Sequence, residues 1–310
     1  LTRPHSPNNN ERPAQRNAMI PQEVMQQIRR IQIRTSHVVN DILAGQYESV
    51  FKGQGMEFRE VREYVPGDDI RMIDWNVTAR SGTPHVKLLA EERELTVMLV
   101  VDASGSGRFG SVGRFKNELA AELCAVLAIS AIKNNDKVGL IIFTDEVELY
   151  VPPSKGRQHV LRVIREVLYF QPRRTGTDIP AALRFMNSVT RRRAVTFLVS
   201  DFMADDFEIP LRMAARRHDL IGVVVSDPRE ETLPNVGLVC VRDAETGQEA
   251  LIDTADDAVR AAYAKESAER ARKRDQILQR TRVDAIRVRT DRPYVDEIYR
   301  FFRMRERRYA

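Results

Sequence analysis

A chain of 310 residues, 43% hydrophobic and 30% charged, has the make-up of an ordinary globular protein of one large domain or two modest ones. No window approaches about 18 uncharged apolar residues, and no apolar signal-peptide core opens the chain, so no transmembrane segment is expected. The net charge of +5 is uneven, with 16 Lys+Arg against 8 Asp+Glu from Arg260 onward. This basic end reads as the solvated face of amphipathic helices. It lacks the aromatic interleaving that base stacking needs, so no specific nucleic acid is expected. Cys124 and Cys240 form no framework of pairs and fit a reducing cytoplasm.

Residues 1–19 are polar, rich in Pro and Asn and without periodicity, which predicts a disordered leader. From Pro21 to Gly45 the apolar residues Val24, Ile28, Ile31, Val38, Val39, Ile42 and Leu43 recur at helical spacing. Pro21 suits a first helical position and Gly45 a C-terminal cap. Residues 46–94 form a small, partly β element, too short for a core of its own. Residues 20–94 are therefore expected to pack on the core of the larger unit at 95–310. Within them Pro66-Gly67 marks a type II turn.

From Leu95 apolar runs alternate with helical stretches. Strands are predicted at 95–101, 137–143, 147–151, 194–200, 219–225 and 283–288. Helices are predicted at about 114–133, 157–170, 178–190, 206–217, 255–281 and 292–308. This is the pattern of a doubly wound α/β fold with a mostly parallel sheet and helices on both faces. Residues 227–253 interrupt it and read as an insertion with short strands near 238–241 and 250–252. In helix 255–281, Lys265 with Glu269 and Glu266 with Arg270 read as pairs on a solvated face.

In such sheets ligands bind beyond the carboxyl ends of the strands. Those ends carry Asp102, Ser104 and Ser106 after the first strand, Thr177 in the loop before helix 178–190, and Asp201 after strand 194–200. Carboxylates with hydroxyls are hard oxygen donors of the kind Mg²⁺ accepts.

The spacing Asp102-x-Ser104-x-Ser106, with Gly176-Thr177 and Asp201 behind it, resembles the metal-ion-dependent adhesion site of von Willebrand factor type A domains. That resemblance implies that the two serines and Thr177 coordinate the metal, that Asp102 and Asp201 bind directly or through water, and that a partner carboxylate completes the shell. Residues 53–80, GQGMEFREVREYVPGDDIRMIDWNVTAR, resemble the signature of a bacterial family known as domain of unknown function fifty-eight. Its members join such a segment to a von Willebrand type A-like domain and are typically encoded beside MoxR-type AAA+ ATPases. The resemblance implies a cytoplasmic, non-enzymatic protein-binding module acting with such an ATPase or its client in chaperone-like assembly.

Other readings of the same residues stay open. Gly105-x-Gly107-x-x-Gly110 matches a dinucleotide loop, but Asp102 would repel a pyrophosphate and no acidic residue follows at the ribose distance. No histidine lies at a strand-end loop to serve a nucleophilic serine. A Mg²⁺-dependent phosphatase with Asp102 as nucleophile is the enzymatic alternative, although related phosphatases want Asp-x-Asp. Plain capping by Asp102 and the serines is the structural alternative. In the upstream signature, Tyr64, Asp68, Asp69 and Arg71 form either a docking surface or a turn with ion pairs beside Trp75 as a core anchor.

Overall fold

The computed structural model describes Phe51, residues 57–90 and residues 94–309. The expected leader and the helix at 21–45 lie outside the described residues. The upstream segment forms an antiparallel pair, β1 (Glu57–Glu63) and β2 (His85–Ala90). Its turn forms at Pro66-Gly67, where the Asp68 amide donates to Val65 O at 3.0 Å and Gly67 sits at φ +113°. A short helix not expected from the sequence, α1 (Trp75–Ser81), follows, because Asp74 captures the Asn76 and Val77 amides and Gly82 supplies the left-handed end.

The α/β unit is built on six strands in the order β10-β7-β6-β3-β4-β5. They are β3 (Thr96–Asp102), β4 (Lys137–Phe143), β5 (Val147–Ser154), β6 (Val195–Ser200), β7 (Asp219–Ser226) and β10 (Asp284–Arg289). All neighbours run parallel except the edge pair β4–β5. The central strands are apolar throughout because both faces are covered. Along β3, Val97, Leu99 and Val101 enter one core and Met98 and Val100 the other.

The first face is covered by α2 (Lys116–Lys133), α3 (Arg157–Tyr169) and α8 (Val295–Tyr309). The second is covered by α4 (Ile179–Val189), α5 (Glu208–Arg217) and the end of α7 (Asp257–Thr281). Between β7 and α7 come a four-residue helix, α6 (Pro228–Glu231), and a separate hairpin of β8 (Leu238–Arg242) with β9 (Glu249–Asp253). The expected doubly wound fold is the one formed, and β3 and β6 lie side by side where the chain changes faces. Asp102 closes β3 and Asp201 follows β6, so both fall at this switch point.

Candidate metal-binding edge

Asp102 is fixed on both oxygens. Oδ1 accepts from the Ser104 amide at 2.9 Å and Oδ2 from the Ser200 hydroxyl at 2.7 Å. The residue keeps some exposure, but its carboxylate is desolvated. That burial, joined by the charge of Asp201, raises its pKa to about 6. Ser104 is buried, and its hydroxyl lies 3.1 Å from that of Ser106. Asp201 accepts from the Met203 amide at 3.0 Å, and the Ser106 hydroxyl also faces it. The next residue, Phe202, has φ +58°, a left-handed backbone that costs about 1–3 kcal/mol and persists where packing over-determines it. Here the buried Phe202 ring packs beside Phe207 and over Gly222.

Asp102, Ser104, Ser106 and Asp201 line one cavity of about 20 Å³, room for a single ion or water. Two ligands at neighbouring corners of an octahedral Mg²⁺ lie about 2.9–3.0 Å apart at its usual bond length, close to the separation of the two serine hydroxyls. Two hydroxyls and two carboxylates, all hard oxygens, therefore fit such an ion in chemistry, and the serine pair fits it in spacing.

The cavity also holds a residue that sequence reasoning missed. Lys116 is buried, and its ammonium donates to Asp201 Oδ2 at 2.7 Å and to Glu230 Oε1 at 2.5 Å. Burial alone would lower the pKa of Lys116 and raise that of Asp201. The ion pair outweighs burial at both, raising Lys116 and lowering Asp201. At Glu230 burial prevails and the pKa goes up, because one ammonium serves two carboxylates. Lys116 is the first residue of α2, where the helix dipole disfavours a cation. That mismatch is the sequence signal that could have singled it out.

Thr177 does not line this cavity. Its hydroxyl donates to Glu245 Oε1 at 2.8 Å, and Thr175 donates to the Glu245 carbonyl at 2.9 Å. Glu245 belongs to the tip of the β8–β9 hairpin, so the expected surface insertion reaches the strand ends. The tip is shaped by Asp243, which accepts from the amides of Glu245 and Thr246, and by Gly247 at φ +72°. Gly105 sits beneath it, where a Cβ would come within 2.1 Å of Ala244 O. Gly105 thus admits the hairpin tip, and Gly110 admits the backbone of Arg114 and Phe115. These glycines do not open a dinucleotide loop.

Tyr64, Asp68, Asp69 and Arg71 line neither this cavity nor the neighbouring cleft of about 360 Å³ between the hairpin tip and α7. Asp68 pairs with Arg62 at 2.6 and 2.8 Å, and Asp69 accepts from the Arg71 amide. The ion-pair reading holds for Asp68 with Arg62, but Trp75 is no core anchor. It is 69% exposed, with Ile70 and Val65 also exposed.

The family model described as "Protein of unknown function DUF58" matches residues 60–274. An uncharacterized protein of Mycobacterium tuberculosis, Rv1480, is 34% identical over 287 residues, which are 90% of this chain and 89% of its own. MAV169 of Mycobacterium avium is 30% identical over 162 residues, 51% of this chain and 94% of its own. Among solved structures, BatB from Bacteroides thetaiotaomicron covers 69% of this chain and 99% of its own at 16% identity and a TM-score of 0.45. The SpRpn10 VWA domain covers 66% and 94% at 9% identity and a TM-score of 0.37.

Proposed function

The chain belongs to the DUF58 family, and from the geometry of its strand-end edge we propose that it is a non-enzymatic protein-binding module that holds a divalent cation, Mg²⁺ first among them. The single observation behind this reading is the gathering of Asp102, Ser104, Ser106 and Asp201 around a cavity of one ion's size at the switch point. Asp102 supplies charge, Ser104 and Ser106 supply neutral oxygens, and Asp201 orients a coordinated water. Thr177 completes the shell once its hydroxyl is free. A bound ion with so few anionic ligands supplies an electrophilic position for a partner's carboxylate.

One feature supports binding over turnover. Both oxygens of Asp102 already accept hydrogen bonds, which leaves it a poor nucleophile. The family signature points to a MoxR-type AAA+ ATPase or its client as the partner. The exposed Val65, Ile70 and Trp75 beside Tyr64, Asp68, Asp69 and Arg71 offer it a second contact. Two free cysteines, one of them exposed, suit the cytoplasm. No helix among the described residues is long and apolar enough to cross a membrane.

Capture from the native lysate tests this reading. With Mg²⁺ the bait retains an AAA+ ATPase, and EDTA or Asp102→Ala lowers its recovery at least tenfold. Recovery that ignores both the ion and Asp102 defeats the adhesion-site reading, and hydrolysis of generic phosphate esters that is lost in Asp102→Asn replaces it with the phosphatase.

A further inference from the structure

The strand-end edge is already occupied from within the chain. A lysine ammonium sits where Asp201 would hold the ion through its coordinated water, 2.7 Å from its carboxylate. A glutamate carboxylate sits on Thr177 at 2.8 Å, where a partner's carboxylate would arrive. Both groups reach the site from segments that have no need of them locally. Lys116 opposes the dipole of its own helix, and Glu245 rides on a hairpin whose two strands pair only with each other. An isolated two-stranded hairpin is marginal in water, so its seat depends on its tip contacts with Thr175, Thr177 and Gly105.

We propose that the strand-end edge is self-closed, with Lys116 in the cation's place and Glu245 in the partner's place, and that a divalent ion and an acidic partner enter by exchange. This rests on the reading of that edge as a metal site. In the exchange the ammonium swings off Asp201 and remains with Glu230, its second partner at 2.5 Å. One positive charge leaves the cavity and two enter. That added charge offsets the two cavity carboxylates, Asp102 and Asp201, which share one ammonium beforehand. On Thr177 the partner's carboxylate replaces that of Glu245, one negative charge for another. The hairpin thereby acts as a tethered competitor. Its release exposes Ser106, Asp201 and Phe202 along one wall of the 360 Å³ cleft whose other wall is Arg270, Lys273 and Arg274 of α7. A cation alone is then bound weakly and a cation with an acidic partner strongly, because each exchange lowers the cost of the other.

The test uses the full chain and Mg²⁺ alone. Isothermal titration calorimetry compares wild type with Lys116→Met, and with Lys116→Gln, which keeps a hydrogen-bond donor should the apolar variant fold poorly. At least tenfold tighter Mg²⁺ binding is expected in the lysine variants. In wild type, hydrogen exchange at 243–247 speeds up when Mg²⁺ is added. Equal affinity in wild type and both variants, with binding lost in Asp102→Asn, overturns self-closure and leaves the metal edge standing. No Mg²⁺ binding in any of them removes the metal edge and self-closure together. Hairpin exchange that Mg²⁺ leaves unchanged overturns the role of Glu245.

Discussion

Arg305 and Lys116 are both 3% exposed, and both lie among carboxylates at an end of the central sheet. Arg305 is at the end where the parallel strands begin. Its Nη1 and Nη2 donate to Asp219 at 2.8 Å each and its Nε to Asp284 at 2.8 Å, the first residues of β7 and β10. Arg308 also donates to Asp284 at 2.9 Å, so two cations face two carboxylates. The guanidinium is covered by Phe301 and Phe51, at 5.2 and 5.6 Å from the ring centres. Lys116 is at the end where the strands stop, and there one ammonium pairs with both Asp201 and Glu230 while Asp102 lines the same cavity. A planar fork with matched charge and all three nitrogens engaged makes a lock. A point charge on a flexible stem, outnumbered by carboxylates, makes a site that still wants a cation.

The largest expected effect sets the two ends against each other. Arg305→Met leaves half-buried Asp219 without its guanidinium and is expected to lower the unfolding free energy by about 3–4 kcal/mol, a drop in Tm on the order of 10 °C. Mg²⁺ should restore none of it, because that end offers no oxygen cage. Lys116→Met should cost less, about 2–3 kcal/mol, and saturating Mg²⁺ should restore at least half. Urea titrations with and without the ion read both. Rescue of both variants, or of neither, would erase the distinction between lock and site.

The fold was legible because both determinants of it are local. Short β-branched apolar runs such as Thr96–Val101 and Val195–Val199, alternating with longer helical stretches, read as central parallel strands and their covering helices. The short helix at Trp75 was not legible, since it depends on one capping carboxylate, Asp74, in a segment without apolar periodicity. Asp102, Ser104, Ser106 and Asp201 were legible because strand ends in an open sheet are forced together by topology. Lys116, Glu230 and Glu245 were not. Lys116 and Glu230 meet across 114 residues, and Glu245 meets Thr177 across 68. The dipole mismatch at Lys116 is visible in sequence only after the helix start is known to the residue.

A pH titration sharpens the contrast at the Arg305 end. His218 precedes Asp219 and is buried. Its Nδ1 accepts from the Ala194 amide at 3.2 Å, and Nε2 finds no partner among the described residues. Burial, helped by Arg217 and Arg193, lowers its pKa to about 4. The unfolded chain therefore binds a proton that the folded chain refuses between about pH 6.5 and 4. The neutral-imidazole contribution is complete above pH 6.5 and is lost as the pH falls toward 4, a change of about 2–3 kcal/mol. Asp102, whose pKa is raised, drifts with the opposite sign in the same window. The informative quantity is thus the stability difference between wild type and His218→Leu, in which Asp102 cancels. That difference should move against wild type by this amount from pH 7 to 4 in urea midpoints. A constant difference would mean that the imidazole is already hydrated in the folded chain.

The smallest expected effect on stability tests the Lys116 end alone. Gly105 has no left-handed backbone among its features, so Gly105→Ala brings a steric change and no conformational strain. The added methyl would fall on Ala244 O, a backbone atom that cannot rotate away, so the hairpin tip must lift. The tip touches neither apolar core, so the unfolding free energy should fall by only about 1 kcal/mol. Hydrogen exchange at 244–246 should nevertheless rise at least tenfold, while amides around Asp219 and Asp284 keep their protection. A loss of several kcal/mol would make the hairpin part of the fold's foundation, as the Arg305 cluster is. Unchanged exchange would mean that the tip was never seated by Gly105. The expected pattern, local opening at one end with the other end silent, is what separates a cover from a lock.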